Sequence, residues 1–136
     1  MTYATALPLQ TAVYERLRLD PAIDALVGNA IHDGLPPGTV PPLYISMGEE
    51  KVTDRSTSDG SGARHDFTIA VVGQAKGFAE AKTLAAAVTE ALTFTPLTPA
   101  RGHLVGPWFR GATARRVQKD GTRRIDLRFR AVLFDT

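Results

Sequence analysis

Arginine side chains alternate with apolar ones near the end of the chain, in an order suited to binding phosphates or carboxylates. Arg124, Arg128 and Arg130 occupy every second position together with Asp126. Successive side chains of a strand point to opposite faces, so these four form a cationic ridge interrupted by one carboxylate. The intervening residues point to the other face: Ile125, Leu127, Phe129, Ala131 and Leu133. The ridge either meets a partner or is a solvated sheet face with local Arg–Asp pairs, and both interpretations remain open.

The segment before this strand, predicted to be a strand over residues 108–118, adds an aromatic pair and three more arginines. Trp108 and Phe109 precede Arg110, and Arg115 and Arg116 follow. Residues 119–122 are a turn signal, so this segment and the ridge strand are predicted to form a β-hairpin. Aromatic rings beside a cation can stack on the bases of single-stranded nucleic acid. The low aromatic content of 7% favours the alternative, that Trp108 and Phe109 anchor the core or an interface.

The residue types that usually perform catalysis or bind metal form no recognisable motif. His32, His65 and His103 are far apart and have no partner at metal-ligand spacing. Glu49 and Glu50 are adjacent, so a strand would direct them to opposite faces and not into one acid–base pair. The absence of cysteine excludes thiol catalysis and thiolate metal sites. The sequence therefore predicts neither an enzyme nor a bound metal or cofactor.

Charge is distributed unevenly along the chain. The 136 residues carry a net charge of +2, but residues 1–100 hold 7 Lys/Arg against 11 Asp/Glu, and residues 101–136 hold 9 against 3. A basic part can bind nucleic acid, or it can dock onto the acidic part of another copy. The length predicts a single domain, 1–136, and no apolar run approaches the length that spans a bilayer. No membrane partner is predicted.

The elements that must position these groups begin with two helices. Residues 6–19 have the apolar period of a helix, which should stop before Pro21. A second, short helix is predicted from Asp20 as its N-cap to Gly28 just beyond its end. Residues 31–33 are predicted to be a short edge strand. The prolines of residues 34–42 predict a stiff extended connection.

Residues 43–52 and 64–73 are predicted to be the strands of a first hairpin. Between them, residues 53–63 are rich in Asp, Ser, Thr and Gly, which predicts a long, mobile loop. This loop either becomes ordered on binding a neighbour or is a disordered surface loop. Its candidate contact residues are Asp54, Arg55, Ser58, Asp59 and Arg64.

Residues 76–92 form the clearest helical pattern, with one apolar stripe that is rich in alanine. This helix lies between the two hairpins, and no strand–helix–strand repetition is present. The sequence therefore predicts an α+β fold, in which an antiparallel β-sheet built from two hairpins packs against the N-terminal helices and one long central helix.

The order and spacing of short segments over about 130 residues resemble the tail-terminator (tail-completion) family of long-tailed phages, prophages and gene transfer agents. No single motif among them is diagnostic. The segments that carry the resemblance are 9–17 (LQTAVYERL), 20–28 (DPAIDALVG), 31–34 (IHDG), 42–49 (PLYISMGE), 65–69 (HDFTI), 80–82 (EAK) and 127–131 (LRFRA).

The resemblance implies a structural, non-enzymatic component of a virion or gene-transfer-agent particle, made in the bacterial cytoplasm. Members of the family form a hexameric ring at the head-proximal end of the tail tube. The ring terminates tube polymerisation, joins the tail to the head–tail connector and leaves a channel for DNA. The implied partners are other copies of the chain, the tail tube protein, the connector or stopper protein, and DNA that passes without sequence-specific binding.

A closed ring joins two unlike patches of neighbouring subunits, which an acidic and a basic part of one chain can supply. We therefore expect much of the arginine ridge to be paired at subunit or tube contacts, while the rest can face the DNA channel. The candidate residues for these subunit, tube or channel contacts are Trp108, Arg110, Arg115, Arg116, Arg124, Arg128 and Arg130. The alternative function is a small basic nucleic-acid-binding protein that uses the same Arg-rich hairpin.

Overall fold

The computed structural model describes residues 3–34, 38, 39, 41–74, 78–117, 119 and 121–135. In these residues the elements follow one another in the order α1 (Ala6–Leu19), α2 (Pro21–Val27), β1 (Ile31–His32), β2 (Leu43–Asp54), β3 (Ser61–Gly73), α3 (Ala79–Thr93), β4 (His103–Arg116) and β5 (Arg123–Asp135). The predicted α+β fold is confirmed.

The strands form one five-stranded sheet in the order β1-β2-β3-β5-β4. The two predicted hairpins, β2–β3 and β4–β5, lie side by side and are joined by antiparallel pairing of β3 with β5. The sheet is mixed and not wholly antiparallel, because β1 pairs with β2 in parallel. A parallel pair requires a long connection between its strands, and the proline-rich segment after β1 provides one.

The helices pack on one face of the sheet and enclose the main core. The apolar stripe predicted for the central helix is buried, and its members are Ala81, Leu84, Ala85, Val88, Ala91 and Leu92. It meets the alternate apolar residues of β5, which are Ile125, Leu127, Phe129, Ala131 and Leu133. This burial forces the arginines of β5 to the opposite face, as the alternation predicted.

The ends of the first two helices follow directly from local sequence. The Asp20 carboxylate accepts hydrogen bonds from the backbone N–H groups of Ala22 and Ile23, and Pro21 is the first residue of α2. Gly28 ends the helix with a positive φ of 58°, a conformation that glycine adopts without strain. Arg16 then joins α1 to the end of α3 by donating to the carbonyls of Ala91, Thr95 and Pro96.

Several predicted boundaries differ from the structure. β2 extends to Asp54 and β3 begins at Ser61, so the connection of the first hairpin spans residues 55–60 and not 53–63. An isolated antiparallel β-bridge between Thr57 and Gly60 further reduces the irregular part of this connection. β4 begins at His103 and not near Trp108, and α3 begins at Ala79, while residues 76 and 77 lie outside the described residues. Exposed strand ends lack apolar alternation, and for this reason the sequence pattern did not reveal them.

A polar cluster around buried His65 and Thr5 lies beneath the start of α1. His65 is 0% exposed, and its Nε2 lies 3.2 Å from Thr5 Oγ1. Its Nδ1 lies 3.8 Å from Glu50 Oε2 and has no hydrogen-bond partner in the described ranges, while Tyr3 donates to Glu50 Oε1 at 2.7 Å. Burial lowers the pKa of His65 below its ordinary 6.5, although the charges of Glu50 and Asp66 oppose this shift.

This cluster makes folding dependent on pH. Because the pKa of His65 is lower in the folded state, the unfolded chain takes up the proton first. The stability due to neutral His65 is complete above pH 6.5 and is lost as the pH falls from 6.5 towards the folded-state pKa. In this range the free energy of unfolding falls by at most about 1.4 kcal/mol for each pH unit of acidification.

The measurement is urea unfolding of the wild type and of His65→Gln at about pH 7.5 and about pH 5.5, on either side of the ordinary histidine pKa. Other groups titrate in both proteins, so the difference between their free energies of unfolding isolates His65. We expect the advantage of the wild type to shrink at the lower pH. A difference that is the same at both pH values would contradict the assignment.

Candidate functional site

The face of the sheet opposite the helices carries the predicted arginine ridge. We call it the arginine face, formed by the side chains of Arg64, Asp66, Thr68, Arg110, Thr113, Arg115, Arg124, Asp126, Arg128 and Arg130. Cross-strand register brings them together: Asp66 is opposite Arg130, Thr68 is opposite Arg128, and Thr113 is opposite Asp126. Three strands therefore contribute to one polar surface.

Part of the arginine face is paired within the chain. Arg130 donates to Asp66 Oδ1 at 2.7 Å, and Arg64 donates to Asp66 Oδ2 at 3.1 Å. Arg124 donates to Asp126 Oδ1 at 2.9 Å. Each aspartate thus holds neighbouring guanidinium groups in a fixed orientation, and partial burial of these groups makes the pairs stronger than fully exposed ones. This is the local Arg–Asp pairing that the sequence left as one alternative.

Other arginines of this face keep their charge available. Arg128 donates to the neutral hydroxyl of Thr113 at 2.9 Å, and its guanidinium lies over Gly111, where a side chain would meet it. Arg110 has no hydrogen bond or ion pair with any described residue. Both line a shallow groove of about 410 Å³, whose far side carries Glu49. Within the described part of the chain, the groove therefore presents two arginines that have no ion pair, and Lys51 lines it as well.

The two arginines at the end of β4 point in different directions. Arg115 is opposite Arg124 and lies 3.8 Å from Asp126, on the arginine face. Arg116 is opposite Arg123, whose guanidinium lies 5.4 Å from the ring of Phe78 on the helix side. Arg116 is thus separated from the other candidate arginines, because neighbouring strand residues alternate between faces.

The aromatic pair also divides between the two faces. Trp108 is opposite Arg130 on the arginine face and is 46% exposed, so it is not a core residue. Phe109 lies on the helix side, where its ring is 5.7 Å from that of Phe129, yet it too is 46% exposed. Between them they present aromatic surface on both sides of an edge strand, which is typical of an interface anchor.

Comparison with known proteins identifies the family of the chain that carries this surface. Residues 11–133 match the family model described as tail completion protein gp17. The chain belongs to this tail completion family. It is also similar to a chain in the virion of a native gene transfer agent particle, with 52% sequence identity and a TM-score of 0.91 over 98% of this chain and 99% of that one. No curated protein sequence matches the chain.

This tail completion protein is a structural component of a phage-like tail and not an enzyme. Among its described residues, no group of three or more His, Asp or Glu could hold a metal ion. The histidines occupy unrelated positions: His65 in the polar cluster, His32 beside Tyr44, and His103 exposed at the start of β4. No helix in the described part of the chain is long and apolar enough to cross a membrane.

The five loop candidates of the tail completion protein do not form one site. Arg55, Ser58 and Asp59 are exposed at the tip of the first hairpin. Asp54 ends β2, and hydrogen bonds from the hydroxyl and backbone N–H of Ser56 lower the pKa of its carboxyl group.

Arg64, by contrast, belongs to β3 and to the arginine face, where it bonds to Asp66. Whether the tip contacts a partner stays a prediction.

Sequence reasoning missed two sets of residues in the tail completion protein. Asp66 and Thr68 join the arginine face through β3, and only the strand register shows this. Leu7, Leu19 and Phe94 are exposed on the helical side, at 69%, 66% and 78%. The signal for Leu7 and Leu19 was present, since neither falls on the apolar stripe of Leu9, Val13 and Leu17 that α1 buries.

Proposed function

We propose that this tail completion protein forms a hexameric ring on the head-proximal end of the tail tube of a gene transfer agent or phage. The ring stops polymerisation of the tube and joins the tail to the connector or stopper protein on the head side. The observation that carries the proposal is the similarity, over nearly the full length of both chains, to a chain of a gene transfer agent virion. The family match over residues 11–133 supports it independently.

The arginine face suits such a ring because it combines fixed and available charges. A closed ring uses a heterologous contact, in which one patch meets a different patch on the next subunit. Arg110 and Arg128 can form ion pairs with an acidic surface of a neighbour, of the tube or of the connector. The arginines bonded to Asp66 and Asp126 keep their positions before assembly.

The ion pairs that Asp66 and Asp126 form with arginines are also compatible with a channel through which DNA passes. A lumen that is strongly cationic would hold DNA through its phosphates and impede its passage. Asp66 and Asp126 offset part of the arginine charge and so reduce the attraction of this face for phosphates, which are contacted without reading the base sequence. Separately, the family assignment favours a structural function over that of a stand-alone nucleic-acid-binding protein.

The test is electron microscopy of particles from the producing bacterium, with the gene intact, deleted, and deleted but supplied again from a plasmid. We expect the deletion to give filled heads with unattached or overlong tails, because nothing caps the tube. The plasmid copy should restore attachment and normal tail length. Normal particles in the deletion strain would overturn the proposal.

A further inference from the structure

Exposed apolar side chains are concentrated in two separate places on the described surface. The first, which we call the helix patch, consists of Leu7, Leu19 and Phe94 on α1 and at the end of α3. The second, which we call the β4 patch, lies on edge strand β4, with Val105 and Trp108 on its arginine-face side and Phe109 on its helix side. Apolar surface grouped in this way marks an interaction site more often than a free surface.

Leu7 and Leu19 of the helix patch line an open groove. The groove lies between α1 and the segment before β4, has a volume of about 570 Å³, and is also lined by Thr11, Glu15, Leu97 and Ala100. A second groove of about 430 Å³ adjoins it at Arg16 and contains Phe94. The β4 patch has the opposite shape, since Trp108 and Phe109 are large aromatic groups on an edge.

The two patches also carry complementary charge. The groove beside Phe94 is lined by Asp20 and Glu90 and by Arg16, whose guanidinium is bonded to backbone carbonyls. The Glu90 carboxylate is bonded to no described residue. The β4 patch is adjacent to Arg110, which is likewise unpaired, and to Arg115, which is more than half exposed. An unpaired acid on one patch and an unpaired base on the other favour their association.

We propose that the β4 patch of one copy packs into the helix patch of the next copy, with Trp108 in the groove beside α1 and the arginines of β4 near Glu90. The inference rests on the proposed ring function and specifies its subunit interface. The patches are unlike one another, which is the condition for a heterologous contact that can close into a ring.

The experiment replaces Trp108 by the photoreactive amino acid p-benzoylphenylalanine, which keeps an aromatic ring at this position, in protein assembled into particles. Irradiation is expected to give covalent multimers of this chain, and mass spectrometry should locate the links in α1 or residues 97–100. The matched control carries the probe at Glu80, about 15 Å along α3 from Glu90, and should give no such multimers.

A second measurement tests the same interface without the photoreactive probe. Trp108→Ala should reduce incorporation into particles about tenfold or more, which corresponds to about 1.4 kcal/mol for an aromatic anchor, and Leu7→Ala from the other patch should reduce it in the same direction. Both side chains are exposed, so circular dichroism should show folded protein with a near-normal melting temperature.

The outcomes distinguish failure of the proposed interface from failure of the proposed ring function. Links from Trp108 to another protein or to another part of this chain, or an absence of links with normal incorporation of Trp108→Ala, would overturn the interface. The gene deletion tests the capping function, and its result does not depend on which surfaces join the subunits.

Discussion

Reversing the two unpaired arginines, Arg110→Glu with Arg128→Glu, is expected to prevent tail attachment while the chain still folds. Neither guanidinium has an acidic partner in the described structure, so their loss removes no ion pair within the chain. In the assembly they would place two carboxylates against an acidic partner surface, which costs several kcal/mol. We expect the number of infectious or gene-transferring particles to fall about tenfold or more, since each 1.4 kcal/mol is tenfold in an equilibrium.

The control for this variant changes net charge equally but on other surfaces. Lys82 and Lys119 are exposed and lie outside the arginine face, so Lys82→Glu with Lys119→Glu should leave attachment unchanged. Particle counts by electron microscopy and gene-transfer assays would be compared in both strains, with circular dichroism to confirm folding. Normal attachment with the Arg110 and Arg128 reversal would exclude these arginines from any essential contact.

Phe129→Ala is expected to destabilise the isolated protein by about 3–5 kcal/mol. The ring is 1% exposed and lies 5.6 Å from that of Phe67 and 5.7 Å from that of Phe109, so truncation would leave a cavity between two aromatic groups. Domains are typically stable by only about 5–15 kcal/mol, so this single change removes a large part of the total. Urea unfolding measures the loss.

The matched control is Phe94→Ala, which deletes the same ring from a site that is 78% exposed. Its free energy of unfolding should change by no more than about 0.5 kcal/mol, as is usual for surface substitutions. Equal losses in the two variants would contradict the packing described for β5. The comparison uses unassembled protein, so it does not depend on any subunit interface.

The sequence was sufficient for the parts of the fold that local chemistry determines. Asp20, Pro21 and Gly28 define the limits of α2 through an N-cap, a first-turn proline and a left-handed glycine. Strict alternation in β5 separates its arginines from Phe129 and its other core residues. These features need only neighbours in the chain, so they could be predicted without any knowledge of strand order.

Features that depend on strand register could not be predicted in this way. For Arg130 and Arg128 the pairing depends on the residue opposite: Asp66 meets Arg130, whereas Arg128 meets Thr68 and bonds to Thr113. Arg64 and Arg124, in contrast, bond to aspartates two residues along their own strands. The parallel pairing of β1 and the burial of His65 under α1 likewise arise from contacts between distant segments. The ridge was identified correctly as a surface, but its available charges were visible only in the fold.

The register shifts in edge strand β4 affect whether free subunits can pair with one another through their sheet edges. This edge strand shifts register between Val105 and Trp108 and again between Phe109 and Gly111, and Pro107 has no N–H to donate. Another strand therefore finds no continuous row of hydrogen-bonding groups there, and such interruptions protect natural edges from joining into fibres. We therefore expect free copies of the protein to resist edge-to-edge pairing, so that they stay soluble and separate until they are incorporated into a tail.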